Sequence, residues 1–109
     1  MISQENELLL ILNSRDFEYD IYTLIKAFYP GRGLRTVYEE CGRQADTAAF
    51  SLLQYEEESR FYLRRPGTGE LITRSAVRPK GDRTAVRNSI KQLIYRTLSE
   101  TENREQNAE

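Results

Sequence analysis

Two segments of the chain carry apolar residues at the spacing of an amphipathic α-helix. In DIYTLIKAFYPG (20–31) the apolar positions recur three and four residues apart and form one stripe: Ile21, Leu24, Ile25 and Phe28. Asp16 or Asp20 is a candidate N-cap for this helix. Pro30 and Gly31 end it, because proline cannot continue the hydrogen-bond ladder and glycine tolerates left-handed backbone angles. We therefore predict a helix that stops at the Pro-Gly pair.

A second, longer stripe predicts a helix from about Arg83 to Ser99, with Asp82 as its N-cap. Its apolar positions are Val86, Ile90, Leu93, Ile94 and Leu98. After Ser99 the chain reads ETENREQNAE, in which one alanine is the only apolar residue. Such a segment cannot bury enough apolar surface to offset the entropy of ordering it. We expect residues 100–109 to form a polar, disordered tail.

The remaining apolar positions lie in short runs that are typical of β-strands. The predicted strands cover 8–12, 34–40, 47–55, 60–65 and 71–77. Turn-forming sequences separate the last three of them, namely EEES at 56–59 and PGTG at 66–69. The segment 47–77 is therefore expected to form an antiparallel meander, preceded by a polar loop at 41–46.

The predicted order of elements is strand, helix, three or four strands and helix, or β-α-β-β-β(-β)-α. A chain of this kind buries its apolar faces when two amphipathic helices pack on one face of a sheet. We predict an α+β fold with an antiparallel sheet of three to five strands and both helices on one face. The length of 109 residues fits one domain, which we assign to residues 1–99.

Composition places the chain among small globular proteins, with 39% hydrophobic and 30% charged residues. No apolar run approaches the roughly 18–20 residues that span a bilayer, and the first residues lack the features of a signal peptide. We expect a cytoplasmic protein that does not associate with membranes.

The chain has one cysteine, Cys41, and no histidine. These counts exclude an internal disulfide, a Cys/His zinc site and a cysteine-ligated iron–sulfur cluster formed within the chain. They also remove the commonest general base. Cys41 has no neighbouring CxxC companion or histidine to lower its thiol pKa, so we interpret it as an ordinary thiol. We predict no catalytic, cofactor-binding or metal-binding residue, although carboxylates, lysines and tyrosines leave catalysis open.

Charge is distributed unevenly along the chain. Residues 1–59 carry 5 basic and 11 acidic side chains, whereas residues 60–96 carry 10 basic and 2 acidic ones. Aromatic residues are interleaved with this basic block, which favours a phosphate-binding or nucleic-acid-binding surface. The candidate surface residues are Arg64, Arg65, Arg74, Arg78, Lys80, Arg83, Arg87 and Lys91. Alternatively, these side chains are solvated charges that pair with the acidic first half of the chain.

Three short segments resemble binding motifs only superficially. The acidic run 56–58 is a candidate metal ligand set, but consecutive carboxylates in a turn do not converge on one cation. PGTGE (66–70) and GRG (31–33) contain glycines but match neither the P-loop nor the dinucleotide-binding pattern. We interpret all three segments as turns.

Two stretches, LIKAFYPG (24–31) and DRTAVRNSIKQLIYRTLSE (82–100), resemble a known family when they are taken together with the meander between them. In order and spacing they are similar to the N-terminal region of bacterial oxygen-independent coproporphyrinogen III oxidases (dehydrogenases) that carry an extra domain before a radical-SAM barrel. The resemblance covers residues 8–100 and rests on packing motifs.

The resemblance implies a relative of a haem-biosynthesis enzyme that decarboxylates propionate side chains, using a [4Fe–4S] cluster and S-adenosylmethionine. The CxxxCxxC motif of that chemistry is absent from this sequence. No catalytic residue of the family can therefore be carried over, and we expect no catalysis from this chain alone. The resemblance implies an accessory domain, whether a fragment, a split gene product or a stand-alone relative, with a radical-SAM barrel as its partner.

Three hypotheses of function remain open. The first is a non-catalytic accessory domain that docks on such a barrel or on another partner. The second is a small RNA-binding or other nucleic-acid-binding module that uses the basic block 60–96. The third is a structural domain that self-associates through the exposed edge of the meander.

Overall fold

A computed structural model describes residues 7–39, 48–65 and 67–106, with side chains described as far as residue 101. Five strands and two helices follow one another in the order β-α-β-β-β-β-α: β1 (Glu7–Leu12), α1 (Glu18–Phe28), β2 (Gly33–Tyr38), β3 (Phe50–Gln54), β4 (Glu58–Arg64), β5 (Leu71–Val77) and α2 (Arg83–Gln106). The fold is α+β, as predicted. Cys41 and the predicted loop 41–46 lie outside the described residues.

The strands form one mixed sheet in the order β2-β1-β3-β4-β5. The meander β3-β4-β5 is antiparallel, as predicted, with Leu52 opposite Phe61 and Phe61 opposite Arg74. The predicted antiparallel pairing does not extend to β1, which runs parallel to both β2 and β3. The reason is topological: a parallel pair needs a crossover connection, and α1 is the crossover between β1 and β2.

Both helices pack on the same face of the sheet. Ile21 and Ile25 of α1 are buried, while Leu24 and Phe28 pack against the core at its margin. All five residues of the predicted α2 stripe are buried. Together with the strands they form one core: Leu10, Leu12, Ile21, Ile25, Phe50, Leu52, Phe61, Leu63, Val86, Ile90, Leu93, Ile94 and Leu98. The two stripes therefore close a single hydrophobic core over the sheet.

The start of α1 differs from the prediction, whereas its end agrees with it. Neither Asp16 nor Asp20 caps the helix, because the N-cap residue is Phe17, in the left-handed conformation (φ 63°, ψ 24°) and without a side-chain cap. Such a conformation costs roughly 1–2 kcal/mol for a non-glycine residue. The Phe17 ring packs against the core and lies 4.5 Å from the Arg83 guanidinium. Packing therefore determines where this helix begins.

Helix α2 begins as predicted and continues further than predicted. The Asp82 carboxylate accepts a hydrogen bond of 2.9 Å from the Ala85 N–H. The helix runs seven residues past its predicted end at Ser99, to Gln106, and so into the segment 100–109 that was predicted to be a tail. Thr101 is only 7% exposed, and its hydroxyl donates to the Thr97 carbonyl. The helix therefore continues through polar residues, beyond the last residue of its apolar stripe.

Removing the N-cap of α2 should weaken the fold moderately. We expect Asp82→Ala to lower the free energy of unfolding by about 1 kcal/mol, because an amide of the first turn loses its acceptor. Urea denaturation followed by circular dichroism measures this change. Asn88→Ala, at an exposed position of the same helix, serves as the control and should change stability by less. Equal effects of the two substitutions would contradict the role assigned to Asp82.

Within the described residues, neither helix has a stretch long and apolar enough to cross a membrane.

Candidate functional site

The structure separates the basic residues that the sequence groups together. Arg64 and Arg65 lie where β4 ends and β5 is about to begin, and Arg78 and Lys80 follow the opposite end of β5. Six steps of about 3.3 Å along β5 place these two groups roughly 20 Å apart. Arg74 lies midway between them. The eight predicted residues therefore do not form one continuous cationic surface.

Three of these side chains pair with carboxylates, one of which lies in the acidic first half of the chain. Arg65 lies 3.4 Å from Glu70, Arg83 lies 3.4 Å from Asp16, and Arg74 forms an ion pair with Glu100. The Arg83–Asp16 pair joins the basic block to the acidic first half of the chain. At least one side chain of each pair is well exposed to solvent, and each pair contributes about 0–1 kcal/mol to stability. Their presence reduces the positive charge available to a nucleic acid.

Side-chain hydrogen bonds join several elements of the fold at the carboxyl end of β1. The Asn13 side chain donates to the Gln54 carbonyl (3.0 Å) and accepts from the Gln54 N–H (2.8 Å), so it extends the β1–β3 ladder by one residue. Gln54 in turn donates to the Asp16 carbonyl, and the Arg78 guanidinium donates to the Gln54 side chain at 3.3 Å. Arg78 is therefore engaged in holding β3, β5 and the start of α1 together.

Arg87 and Lys91 lie on α2, where both are half-buried. Arg87 lines a shallow groove between the helices, together with Phe17, Asp20 and Arg83. The acidic Asp20 in this groove partly offsets the two guanidinium groups. This end of the helix pair therefore has mixed charge.

A further cavity lies at the other end of the sheet, where β1 and β3 begin and β4 ends. It has a volume of about 460 Å³, which is in the range of small-molecule sites. Four segments of the chain meet there. The lining residues are Leu8, Tyr29, Arg32, Ala48, Ala49, Phe50, Leu63, Arg64, Arg65, Gly67, Thr68 and Gly69. We call this cavity the lower pocket.

The lower pocket combines an apolar floor with a cationic rim. Leu8, Phe50 and Leu63 supply the floor, and their side chains belong to or pack against the hydrophobic core. Arg32, Arg64 and Arg65 supply the rim. Glu70 pairs with Arg65 beside it, at 3.4 Å. The charged groups among the described lining residues are the guanidinium groups of these three arginines.

Arg64 is held by the backbone of the adjacent turn. Its Nη1 donates to the Gly69 carbonyl at 3.3 Å, while its Nε is buried without a hydrogen-bond partner. A buried donor that has lost its hydration is costly unless a partner is supplied. This Nε is covered by the protein, so a ligand in the cavity could meet Arg64 only through its terminal guanidinium nitrogens.

The turn that holds Arg64 depends on two glycines. Gly67 and Gly69 have φ angles of 86° and 75°, a region that side chains with a Cβ rarely adopt. The Gly69 N–H donates to the Arg65 carbonyl, and the Arg65 N–H donates to the Glu70 carbonyl. The interpretation of PGTGE as a turn is correct for its described residues, and Pro66 lies outside them. Sequence reasoning did not detect that this turn forms one wall of a pocket.

Other chemistry-bearing residues do not converge in the described part of the chain. No group of three or more cysteine, aspartate or glutamate side chains there could hold a metal ion. Glu56 and Glu57 are exposed in the β3–β4 turn, as predicted for a solvated turn. The lower pocket is therefore the candidate functional site.

Comparison of the chain with protein-family models, with curated proteins and with solved structures finds no match. The resemblance of residues 24–31 and 82–100 to the coproporphyrinogen oxidase family therefore stays a prediction.

Proposed function

We propose that the chain is a non-catalytic accessory domain, related to the N-terminal region of oxygen-independent coproporphyrinogen III oxidases, and that its lower pocket binds a carboxylate-bearing aromatic ligand. The observation that carries the proposal is the placement of three arginines around an apolar floor. Guanidinium groups pair with carboxylates through two parallel hydrogen bonds. The partly buried side chains of Leu8 and Tyr29 offer a surface to a flat apolar body.

Each part of the pocket has a separate role in this proposal. Arg64 donates to the ligand carboxylate through its terminal guanidinium nitrogens, while its bond to Gly69 holds the guanidinium in place. Leu8 and Tyr29, which are only partly buried, contact the aromatic body, and the buried ring of Phe50 supports Tyr29, with 5.6 Å between the ring centroids. Binding would remove the ligand's apolar surface from water and pair its carboxylate with a guanidinium group.

The family resemblance makes a propionate-bearing tetrapyrrole the first candidate ligand. A cavity of about 460 Å³ would take one edge of such a macrocycle and leave the rest outside. The partner of the domain would be a radical-SAM barrel that supplies its own cluster and S-adenosylmethionine. The residues of this chain do not fit a [4Fe–4S] cluster, because its only cysteine is Cys41.

Titration with coproporphyrin III, followed by its absorbance and fluorescence, tests the proposed ligand class. We expect saturable binding that Arg64→Gln weakens about tenfold or more, because a charge-assisted hydrogen bond contributes roughly 1.5–3 kcal/mol. Lys80→Gln removes the same charge from an exposed loop at the opposite end of the sheet and should leave the affinity unchanged. Circular dichroism shows whether each variant is folded.

Two results of this titration would overturn the proposed function. One is the absence of saturable binding by the folded wild-type protein. The other is equal affinity of the Arg64→Gln and wild-type proteins, which would place the ligand elsewhere.

A further inference from the structure

Strand β5 is the last strand of the sheet, and its outer edge has unused hydrogen-bonding groups. Two bonds establish which residues point outward: the Arg65 N–H donates to the Glu70 carbonyl, and the Arg78 N–H donates to the Glu57 carbonyl. Since backbone groups alternate along an antiparallel pair, the even-numbered residues of β5 bond to β4. The N–H and C=O groups of the odd-numbered residues therefore face the outer edge: Leu71, Thr73, Ser75 and Val77.

This edge lacks the features that usually prevent strand pairing. Natural edge strands are protected by prolines, bulges, short length or charged side chains. β5 is seven residues long, contains no proline and pairs with β4 in an unbroken register. Its four outward residues are uncharged. The one charge in the strand, Arg74, is on the helix side and pairs with Glu100.

The sequence of β5 is chemically symmetric about its centre. In LITRSAV, residues at equal distances from the centre belong to the same chemical class. Leu71 and Val77 are aliphatic, as are Ile72 and Ala76, and Thr73 and Ser75 both carry hydroxyl groups. Arg74 is at the centre. A two-fold axis through Arg74 would therefore place each flanking residue opposite one of its own class in an antiparallel partner.

The hydrogen-bonding pattern permits this same register. With the axis at Arg74, Thr73 lies opposite Ser75 of the second copy, and Leu71 lies opposite Val77 of the second copy. All of these residues have outward backbone groups, so each pair can exchange two hydrogen bonds. The backbone N–H and C=O of Arg74 face β4. Arg74 therefore lies on the axis, opposite Arg74 of the second copy, in a pair that exchanges no hydrogen bonds. A register shifted by one residue would lose this match.

The same register covers exposed apolar side chains. Val77 is 80% exposed and Leu71 is 41% exposed, and both lie on the sheet face opposite the helices. In the symmetric pair each would lie beside the other from the second copy. One existing contact would have to yield, a 3.5 Å hydrogen bond from the Ser89 hydroxyl to the Val77 carbonyl. This bond is at the limit of hydrogen-bond distance and gives little protection to the edge.

We infer that the partner of the β5 edge is a second copy of this chain, and that two copies join their sheets through an antiparallel β5–β5 contact centred on Arg74. The contact is formed by one strand of seven residues from each copy, so we expect the dimer to form reversibly at high protein concentration. It lies away from the floor of the lower pocket and does not depend on the proposed ligand.

Sedimentation equilibrium from micromolar to millimolar protein tests this inference. We expect the wild-type protein to dimerise with rising concentration. Ser75→Pro should remain monomeric, because proline removes an outward N–H that β4 does not use. Ser75→Ala keeps that N–H and should dimerise as the wild type does. The thermal midpoint of Ser75→Pro at micromolar concentration shows that its monomer is folded.

Oxidative cross-linking locates the axis. In a Cys41→Ser background, Arg74→Cys should form a disulfide-linked dimer, since opposite residues at a non-bonded position have Cα atoms about 4.5 Å apart. Thr23→Cys, at an exposed position of α1, should not cross-link above background. A wild-type protein that stays monomeric at millimolar concentration overturns the inference. A dimer that persists in folded Ser75→Pro also overturns it, because association would then use another surface.

Discussion

Leu93→Asp should lower the free energy of unfolding by about 4 kcal/mol or more, enough to unfold a domain of ordinary stability. Leu93 is 4% exposed and is one of the α2 residues that pack onto the sheet. Aspartate at this position would place a carboxylate among apolar side chains, where its charge is strongly disfavoured without a partner. Urea denaturation followed by circular dichroism measures the loss.

Gln92→Asp is the matched control for this substitution. It introduces the same charge one position earlier, on the exposed side of the helix, and we expect a change of about 0.5 kcal/mol or less. Leu24→Asp should have an intermediate effect, because Leu24 packs at the margin of the core and is only partly buried. A Leu93→Asp protein that unfolds at the wild-type urea concentration would show that this face of α2 does not form the core.

Phe61→Ala should lower the free energy of unfolding by about 3–5 kcal/mol, the range for removal of a large aromatic side chain from a core. Phe61 is fully buried in the middle of β4. Its ring is stacked on that of Phe50, with 6.2 Å between ring centroids and 5° between ring planes. The cavity left by alanine lies between the sheet and the helices, where backbone on both sides limits collapse. Thermal and urea denaturation of the purified variant provide the measurement.

The neighbouring aromatic residue provides the control for Phe61. Tyr62 has the adjacent position in β4, points to the opposite face of the sheet and is half-buried. Tyr62→Ala should therefore destabilise the protein less than Phe61→Ala does. The reverse order would mean that the principal core is on the face of the sheet away from the helices.

Local patterns predicted the local parts of this fold. The meander β3-β4-β5 follows from short alternating runs separated by tight turns, and the predicted strand 71–77 coincides with β5. The α2 stripe and its Asp82 cap were also predicted, because both depend on residues within a few turns of each other. The parallel pairing of β1 was missed, since it joins residues such as Leu10 and Phe50 that are 40 positions apart.

Features that depend on tertiary contacts could not be predicted from the sequence. Phe17 begins α1 in a left-handed conformation, although sequence preference favours an aspartate or serine cap. Asn13 replaces a strand residue through its side chain and bonds to Gln54 far along the chain. Helix α2 continues past the last residue of its apolar stripe, through residues whose hydroxyl groups bond within the helix, and a search for apolar stripes does not detect this continuation.

In the candidate site too, the local turns could be predicted from the sequence, whereas the tertiary contacts could not. GRG (31–33) and PGTG (66–69) are recognisable in the sequence as turns, yet only the strand order brings Arg32 and Gly67 to one cavity. Of the eight basic residues that the sequence grouped, Arg64 and Arg65 reach the lower pocket. Arg78 and Arg83 instead hold the opposite end of the sheet through Gln54 and Asp16. Basic residues that are close in sequence do not share one surface. Because β4 and β5 are antiparallel, Arg64 at the end of β4 and Arg78 after the end of β5 lie at opposite ends of the sheet.

A map of backbone amide chemical shifts tests the central claim, that the lower pocket is a binding site for a carboxylate-bearing aromatic ligand. The measurement is a nuclear magnetic resonance titration of the isotope-labelled protein with coproporphyrin III. We predict saturable shifts at the amides of residues 48–50, 63–65 and 67–69, which line the pocket, with little change at 78–83. Shifts centred on residues 78–83, or shifts that never saturate, would contradict the claim.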